Sequence, residues 1–166
     1  MEKWVEQLVE EVYPGMLLYG ISLAKSRAEA EDLAQEALYR FLLIYDRLEA
    51  INYKSWLLRV MRNYYFDNQR KKKKSQALLA DLAQISHANT EDLLHQIIRK
   101  KEHERLYQAI ATLKDPYKEV LVAYYFLDLS IKNIAEITDL KLSNVKVLLH
   151  RGRKQLKEVM MNEKLS

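Results

Sequence analysis

The sequence predicts an all-α protein: two small helical domains joined by a linker, the C-terminal one a helix-turn-helix. Three observations predict it. Apolar residues recur three and four positions apart along nearly all of the 166 residues, the spacing of helices that bury one face. Gly 3 and Pro 2 are too few for a β-sandwich or barrel, whose hairpins each call for such residues. Between residues 75 and 98 the charge thins to Asp81, Glu91 and Asp92, which separates two densely charged helical stretches.

Taken in order, residues 2–13 read as an amphipathic helix with Trp4, Val5, Leu8, Val9 and Val12 on one stripe. Pro14-Gly15 is expected to interrupt it, since an interior proline removes a backbone donor. Met16 to Ala24 follows as a second apolar stretch. From Glu29 a helix carries Leu33, Ala37, Phe41 and Ile44 on a buried stripe. Leu48 to Asn52 reads as a loop, and a helix resumes from Ser55 to about Lys73 with Trp56, Leu57, Val60, Met61, Tyr64 and Tyr65 clustered. Ser86-His87-Ala88-Asn89-Thr90 is the loop candidate, and Ala77 to Leu82 is compatible with a helical turn. The domains are therefore expected at 1–74 and 99–166, with 75–98 as linker.

In the second domain Ile98, Leu106, Ile110 and Leu113 line one helix. Asp115-Pro116 reads as the next start, Asp as N-cap and Pro at the first helical position. Val120, Leu121, Tyr124 and Tyr125 follow on its stripe. Ser130 is expected to cap a short helix with Ile134, Ala135 and Ile137, and Ser143 to cap a last helix reaching about Met160. Val145, Leu148, Leu149, Gly152, Leu156, Val159 and Met160 share one stripe of that helix, and Gly152 there predicts close approach of another helix. Domains of this size bury only about 60% of their unfolded surface. Modest stability suits a protein that works docked on something larger.

Composition excludes several function classes. No GxGxxG and no GKS or GKT is present, so no Gly-rich phosphate cradle is available. Zero cysteine excludes a disulfide framework, a Cys-ligated zinc site and thiol catalysis, and is compatible with a reducing cytoplasm. The longest uncharged run, Val12 to Ala24, is shorter than the about 20 apolar residues of a membrane span. The start, MEKWVEQLVEE, lacks the basic opening and apolar core of a secretory signal.

The charge distribution points to a polyanion. Arg59, Arg62, Arg70, Lys71, Lys72, Lys73 and Lys74 face only Asp67 within residues 59–74. Lys141, Lys146, Arg151, Arg153, Lys154 and Lys157 face no acid within residues 141–157. Ahead of both lies an acidic helix. Its Asp32, Gln35 and Glu36 fall at i, i+3 and i+4, opposite the Leu33/Ala37/Phe41 stripe, either as a solvated face or as a docking surface for a basic partner. Residues 53–74, YKSWLLRVMRNYYFDNQRKKKK, mix aromatics with bases, the chemistry that stacks on unpaired bases and tracks a backbone. Aromatic stripes at helical spacing are also ordinary core, and both readings stand at this point.

Residues 131–152 fit a helix-turn-helix template. Small Ala135 lies where the first helix nears the second, Asp139 occupies the turn, and Val145 and Leu148 face back into the core. The turn position calls for positive φ, which Asp tolerates better than most side chains. The outward face is then Ser143, Asn144, Lys146, Val147, His150, Arg151, Arg153 and Lys154. Its N-terminal residues would reach base edges in a major groove, and the later Arg and Lys would meet phosphates.

Three segments in this order resemble bacterial RNA polymerase sigma factors of the extracytoplasmic-function (ECF) group over nearly the entire chain. They are Ala30-Glu31-Asp32-Leu33-Ala34-Gln35-Glu36-Ala37; Ser55-Trp56-Leu57 with Asn63, Asp67 and Arg70; and Ile134-Ala135-Glu136-Ile137 with Val145-Lys146 and His150-Arg151-Gly152-Arg153-Lys154-Gln155-Leu156. The resemblance implies that Asp32, Gln35 and Glu36 dock on the β′ coiled coil of core RNA polymerase, whose β subunit is also a partner. It implies that the loop Leu48 to Tyr53 and the following helix recognise and open the −10 element, through Asn52, Tyr53, Trp56, Arg59, Arg62, Asn63, Tyr64, Arg70 and Lys71. It implies that Ser143, Asn144, Lys146, Val147, His150, Arg151, Arg153 and Lys154 read the −35 element of promoter DNA. An anti-sigma factor, often membrane-anchored, would cover both domains, and the chain itself would be cytoplasmic, without a cofactor or metal. Asn133, Asp139, Asn144 and the pair Val147-Leu148 depart from the family pattern, so no promoter consensus is transferred.

Two other classes compete. A stand-alone helix-turn-helix regulator accounts for residues 130–157 but not for the aromatic and basic helix before the linker. An enzyme would have to draw on His87, His95, His103 or His150; Glu91 and His95 are one helical turn apart but have no HExxH partner or third ligand.

Overall fold

Helices are the only regular elements among the residues that this computed structural model describes, 2–49, 52–79 and 101–165. They fall into two compact units that divide between Leu93 and Leu94. The first holds α1 (Lys3–Ala24), α2 (Arg27–Ile44) and α3 (Tyr53–Leu79). The second holds α4 (Lys101–Ala111), α5 (Tyr117–Tyr125), α6 (Ile131–Thr138) and α7 (Leu142–Leu165). The expected loop at Ser86 to Thr90, Ile98, and the Glu91/His95 pair with His87 all lie outside the described residues.

The expected break at Pro14-Gly15 is absent: α1 runs straight through Pro14. An interior proline costs about 3 kcal/mol, because the carbonyl one turn earlier loses its donor. Burial outweighs that cost. Val12, Met16, Leu17, Leu18, Tyr19, Ile21 and Leu23 are all buried on this helix, and each such side chain contributes about 1.5–3 kcal/mol when fully covered. The helix ends at Lys25, whose φ of 60° is left-handed and whose N–H closes onto the Ile21 carbonyl at 2.8 Å.

Ser26 then caps α2, its Oγ accepting from the Glu29 N–H at 3.4 Å. The buried face of α2 is Ala30, Leu33, Ala34, Ala37 and Phe41. Its alanines let α1 come close: a Cβ on Gly20 would stand 2.8 Å from the Ala30 Cβ and 2.9 Å from its Cα. α3 closes the three-helix core with Leu57, Leu58 and Met61, all fully buried. It begins at Tyr53 rather than Ser55 and continues past Lys73 to Leu79.

The second unit buries Ala109, Ile110, Val120, Leu121, Val122, Leu127, Leu129, Ile134, Ile137, Val145, Leu149 and Leu156. The predicted close approach at Gly152 is present, with Leu121 Cδ1 3.1 Å from where a Cβ would stand. Ser130 caps α6 as expected, its Oγ accepting from the Asn133 N–H at 3.0 Å. Four details differ from expectation. Pro116, not Asp115, is the N-cap of α5; the Asp115–Pro116 peptide is cis, and the Asp115 carboxylate reaches forward to Lys118 Nζ at 3.7 Å. α7 starts at Leu142, so Ser143 lies inside its first turn, and the Lys141 carbonyl accepts from the Val145 N–H at 3.1 Å. Leu149 rather than Leu148 is the buried partner of Val145, because a spacing of four keeps closer to the helix stripe. Tyr125 is 38% exposed rather than buried, since the stripe of α5 is already filled by Val120, Leu121, Val122 and Ala123.

Gly20→Ala should lower stability by about 1–3 kcal/mol, the cost of overpacking a filled crossing, and a thermal melt of the variant checks it. Burial pushes the Tyr107 phenol up to about 12. The unfolded phenol titrates near 10, so its contribution is intact below pH 10 and is lost as pH climbs toward 12. Melting should therefore fall above about pH 10, and Tyr107→Phe should soften that alkaline fall.

Candidate nucleic-acid interface and docking groove

On the first unit, α2 buries Leu33, Ala34 and Ala37, and helical spacing turns Asp32, Gln35 and Glu36 outward. Asp32 and Gln35 are exposed and Glu36 is half-buried. With Glu29 and Tyr39 they line one wall of a groove of about 520 Å³; Tyr64, Tyr65, Asn68, Gln69 and Lys72 of α3 line the other. Lys72 Nζ lies 3.2 Å from Glu29 Oε1 and ties the two walls together. Arg40 Nε donates to Glu36 Oε1 at 3.0 Å while its guanidinium lies 5.4 Å from the Tyr64 ring centroid. These pairs are exposed, so they orient side chains more than they stabilise the fold. Nearby, the Tyr13 phenol is raised, first by burial and then by the Glu31 carboxylate, against an opposing pull from Arg27. Carboxylates outnumber cations in the groove and Tyr39, Tyr64 and Tyr65 line its walls, a combination complementary to a basic helix with an apolar edge.

At the start of α3 five rings meet. Phe41 is fully buried, with centroids 5.4 Å from Tyr53, 5.8 Å from Tyr45 and 6.0 Å from Trp56. Trp4 of α1 lies 5.6 Å from Tyr45 and 5.8 Å from Tyr53. Tyr53 and Trp56 are half-buried, so each packs on the core with one side while keeping part of its surface in solvent. Asn52 takes a role that the sequence reading did not give it: its Oδ1 accepts from the Ser55 N–H at 3.2 Å, which makes it the N-cap of α3. Along the helix Arg59 and Asn63 are exposed, and Arg62 stacks over the Phe66 ring at 4.6 Å. Arg70 pairs with Asp67 at 3.3 Å in full solvent, and Lys71 is exposed. Tyr64 lines the acidic groove with Asp32 and Glu36, apart from the ring cluster.

On the second unit, α6 and α7 meet across the expected turn. Asp139 has φ 58° and ψ 26°, the left-handed conformation that the template requires. Val145, Leu149, Gly152 and Leu156 are buried, and Ser143, Asn144, Lys146, Val147, His150, Arg151, Arg153 and Lys154 are all exposed. The stretch of α7 up to Lys157 is thus acid-free and exposes two apolar side chains, Leu142 at 44% and Val147 at 45%. Arg153 is drawn to the edge of the exposed face, where its Nε donates to Tyr125 Oη at 2.9 Å.

The comparisons with known proteins agree with this arrangement. The Sigma-70 region 2 family matches residues 8–75, and the Sigma-70 region 4 family matches residues 103–156. The ECF RNA polymerase sigma factor SigM of Bacillus subtilis is 33% identical over 82% of this chain and 83% of its own length. The chain belongs to the ECF RNA polymerase sigma factors. Another member, SigW of the same organism, is 34% identical over 78% of this chain and 74% of its own length. The fold matches that of the sigma factor RpoE of Bartonella quintana, solved with the anti-sigma factor NepR, at a TM-score of 0.73 and 22% identity over 96% of this chain and 98% of that one. As an ECF sigma factor, the chain is an alternative sigma factor that directs transcription initiation.

In this sigma factor, the region 2 match spans the acidic groove and every ring of the cluster except Trp4, and the region 4 match spans the helix-turn-helix. Sequence reasoning missed Tyr39, 61% exposed on the groove wall, and Lys72, which joins the two walls. A signal for Tyr39 was present: it follows Asp32 by seven residues and Glu36 by three, on the same helix edge. No helix among the described residues is long and apolar enough to cross a membrane.

The capping role of Asn52 separates two effects. Asn52→Ala should lower stability by about 1 kcal/mol through loss of the cap. Asn52→Asp keeps a capping oxygen and should melt as the parent does, so thermal melts of the two variants check the assignment.

Proposed function

We propose that this ECF sigma factor docks on the β′ coiled coil of core RNA polymerase through Asp32, Gln35, Glu36 and Tyr39, and contacts the β subunit as well. In this reading, Asn52, Tyr53, Trp56, Arg59, Arg62, Asn63, Arg70 and Lys71 serve the −10 element, with the ring cluster offering stacking surface to an unpaired base; Tyr64, expected there from the sequence, lines the acidic groove and goes with the docking face instead. Ser143, Asn144, Lys146, Val147, His150, Arg151, Arg153 and Lys154 serve the −35 element as duplex DNA. The observation that carries it is the pair of exposed faces on separate units. One is an acidic, tyrosine-lined groove on α2 and α3; the other is an acid-free helix face on α7.

The chemistry of each face supports its assignment. A carboxylate-rich groove repels a phosphate backbone and attracts a basic helix, so the first face suits the polymerase rather than DNA. The second face attracts phosphates and presents Ser143, Asn144 and Lys146 near the start of α7, the end that a recognition helix points at base edges. The protein performs no reaction of its own in this reading. An anti-sigma factor covers these surfaces until a signal releases them, and the sigma factor works in the bacterial cytoplasm, held at the membrane only where that partner is anchored.

Run-off transcription with purified core polymerase on a promoter library tests the reading. Defined start sites are expected, and a polypeptide that neither joins core polymerase nor starts RNA at any defined site overturns it. Specific binding to duplex DNA without polymerase would favour the stand-alone regulator instead. Asp32→Ala combined with Glu36→Ala should weaken core binding by about tenfold while leaving circular dichroism unchanged. Lys146→Ala should depress transcription most on templates that keep an intact −35 element.

A further inference from the structure

We propose that Tyr125 of α5 and Arg153 of α7 form a clamp that takes one backbone phosphate of duplex DNA at the edge of the recognition face. The clamp deepens the reading of α7 as the duplex-reading helix and rests on it. Tyr125 lies outside both helices of the helix-turn-helix.

Two tyrosine side chains hold Arg153. Its Nε donates to Tyr125 Oη at 2.9 Å. Its guanidinium carbon stands 5.0 Å from the Tyr124 ring centroid and 5.8 Å from that of Tyr125. The two rings meet edge to face at 5.2 Å, so they brace each other as well as the cation. A long exposed side chain that would otherwise sample many rotamers is thereby fixed before any ligand arrives, which lowers the ordering cost of binding.

The donors that this leaves suit an oxyanion. With Nε committed to the phenol, the two Nη groups of the guanidinium form the fork that matches two phosphate oxygens. The phenol oxygen accepts from Nε, so its own proton is left to donate outward. Both side chains are solvent-accessible, Tyr125 at 38% and Arg153 on the exposed outer side of α7. No carboxylate occurs from Lys141 to Lys157 to compete for them. An exposed Arg–Tyr contact adds little to stability, so its geometry is better explained by what it presents than by what it holds together.

The position selects the backbone over the bases. Arg153 follows Lys146 by seven residues and His150 by three, on one helix edge. It lies at the middle of α7, about two to three turns beyond Ser143, Asn144 and Lys146, and is tethered sideways to α5. The phosphate it takes therefore belongs to the strand that borders the groove α7 enters. Such a contact sets register without reading sequence.

The test uses holoenzyme reconstituted from the full chain and core polymerase, bound to a labelled promoter fragment recovered from the transcription library across a salt series. Arg153→Ala should flatten the slope of log K against log salt by about 0.9, one phosphate's worth of counterion release. Tyr125→Phe keeps the ring and removes the hydroxyl; affinity should fall about threefold with the parent slope, equally on fragments with intact and scrambled −35 elements. Melting temperatures of both variants should match the parent. Should Arg153→Ala melt early, Tyr125→Phe decides alone. Parent affinity in Tyr125→Phe, or a parent salt slope in a folded Arg153→Ala, overturns the clamp. If Lys146→Ala still weakens binding in that case, only the clamp is wrong. If no promoter is recovered, or Lys146→Ala binds as the parent does, the duplex-reading role of α7 fails and the clamp falls with it.

Discussion

The crossing of α1 and α2 at Gly20 and Ala30 is the constraint on which the first unit depends. Only hydrogen fits at Gly20, because a methyl there would overlap both the Cβ and the Cα of Ala30. The helices can approach this closely only in one rotational setting of α2, with Ala30, Leu33, Ala34 and Ala37 inward. That setting commits Asp32, Gln35 and Glu36 to the outside. The same contact reaches α3, since Met61 Cε lies 3.2 Å from where a Gly20 Cβ would stand. Packing on the inside therefore aims the groove on the outside.

The second unit repeats the device with different residues. Gly152 lets α7 press on Leu121 of α5, and Asp139 bends the chain back in a left-handed conformation between α6 and α7. Once Val145, Leu149, Gly152 and Leu156 face the core, the eight residues expected to meet DNA have nowhere to go but out. The closeness at Gly152 also brings Tyr124 and Tyr125 within reach of Arg153, one residue further along α7. A packing contact and a surface feature thus share one cause.

Polar function sits on top of this packing with little energetic connection to it. The ion pairs of the groove, Lys72 with Glu29 and Arg40 with Glu36, are solvent-exposed and orient side chains rather than hold helices. Partners can therefore displace them without unfolding the unit. Asn52 is different, because its side chain caps α3 right beside the ring cluster, so this polar group does contribute to the fold.

What the sequence by itself determined is the set of helices, the inward stripe of most of them, and the identity of the outward faces. Those follow from a period of 3.6 residues, which one chain segment carries alone. Ser130 as a cap, Asp139 at positive φ and Gly152 at a close approach were legible for the same reason: each is a local rule with one answer. The tertiary structure alone decided whether a local rule was overruled. Pro14 did not stop α1, because the apolar run beyond it was worth more packed than the lost hydrogen bond. Tyr125 left the stripe of α5 because Val120 to Ala123 had already filled the core. The meeting of Tyr64 and Lys72 with the acidic face of α2, and of Arg153 with Tyr125, joins residues distant in sequence. Periodicity says which way a side chain points; only the packed neighbours say what it meets.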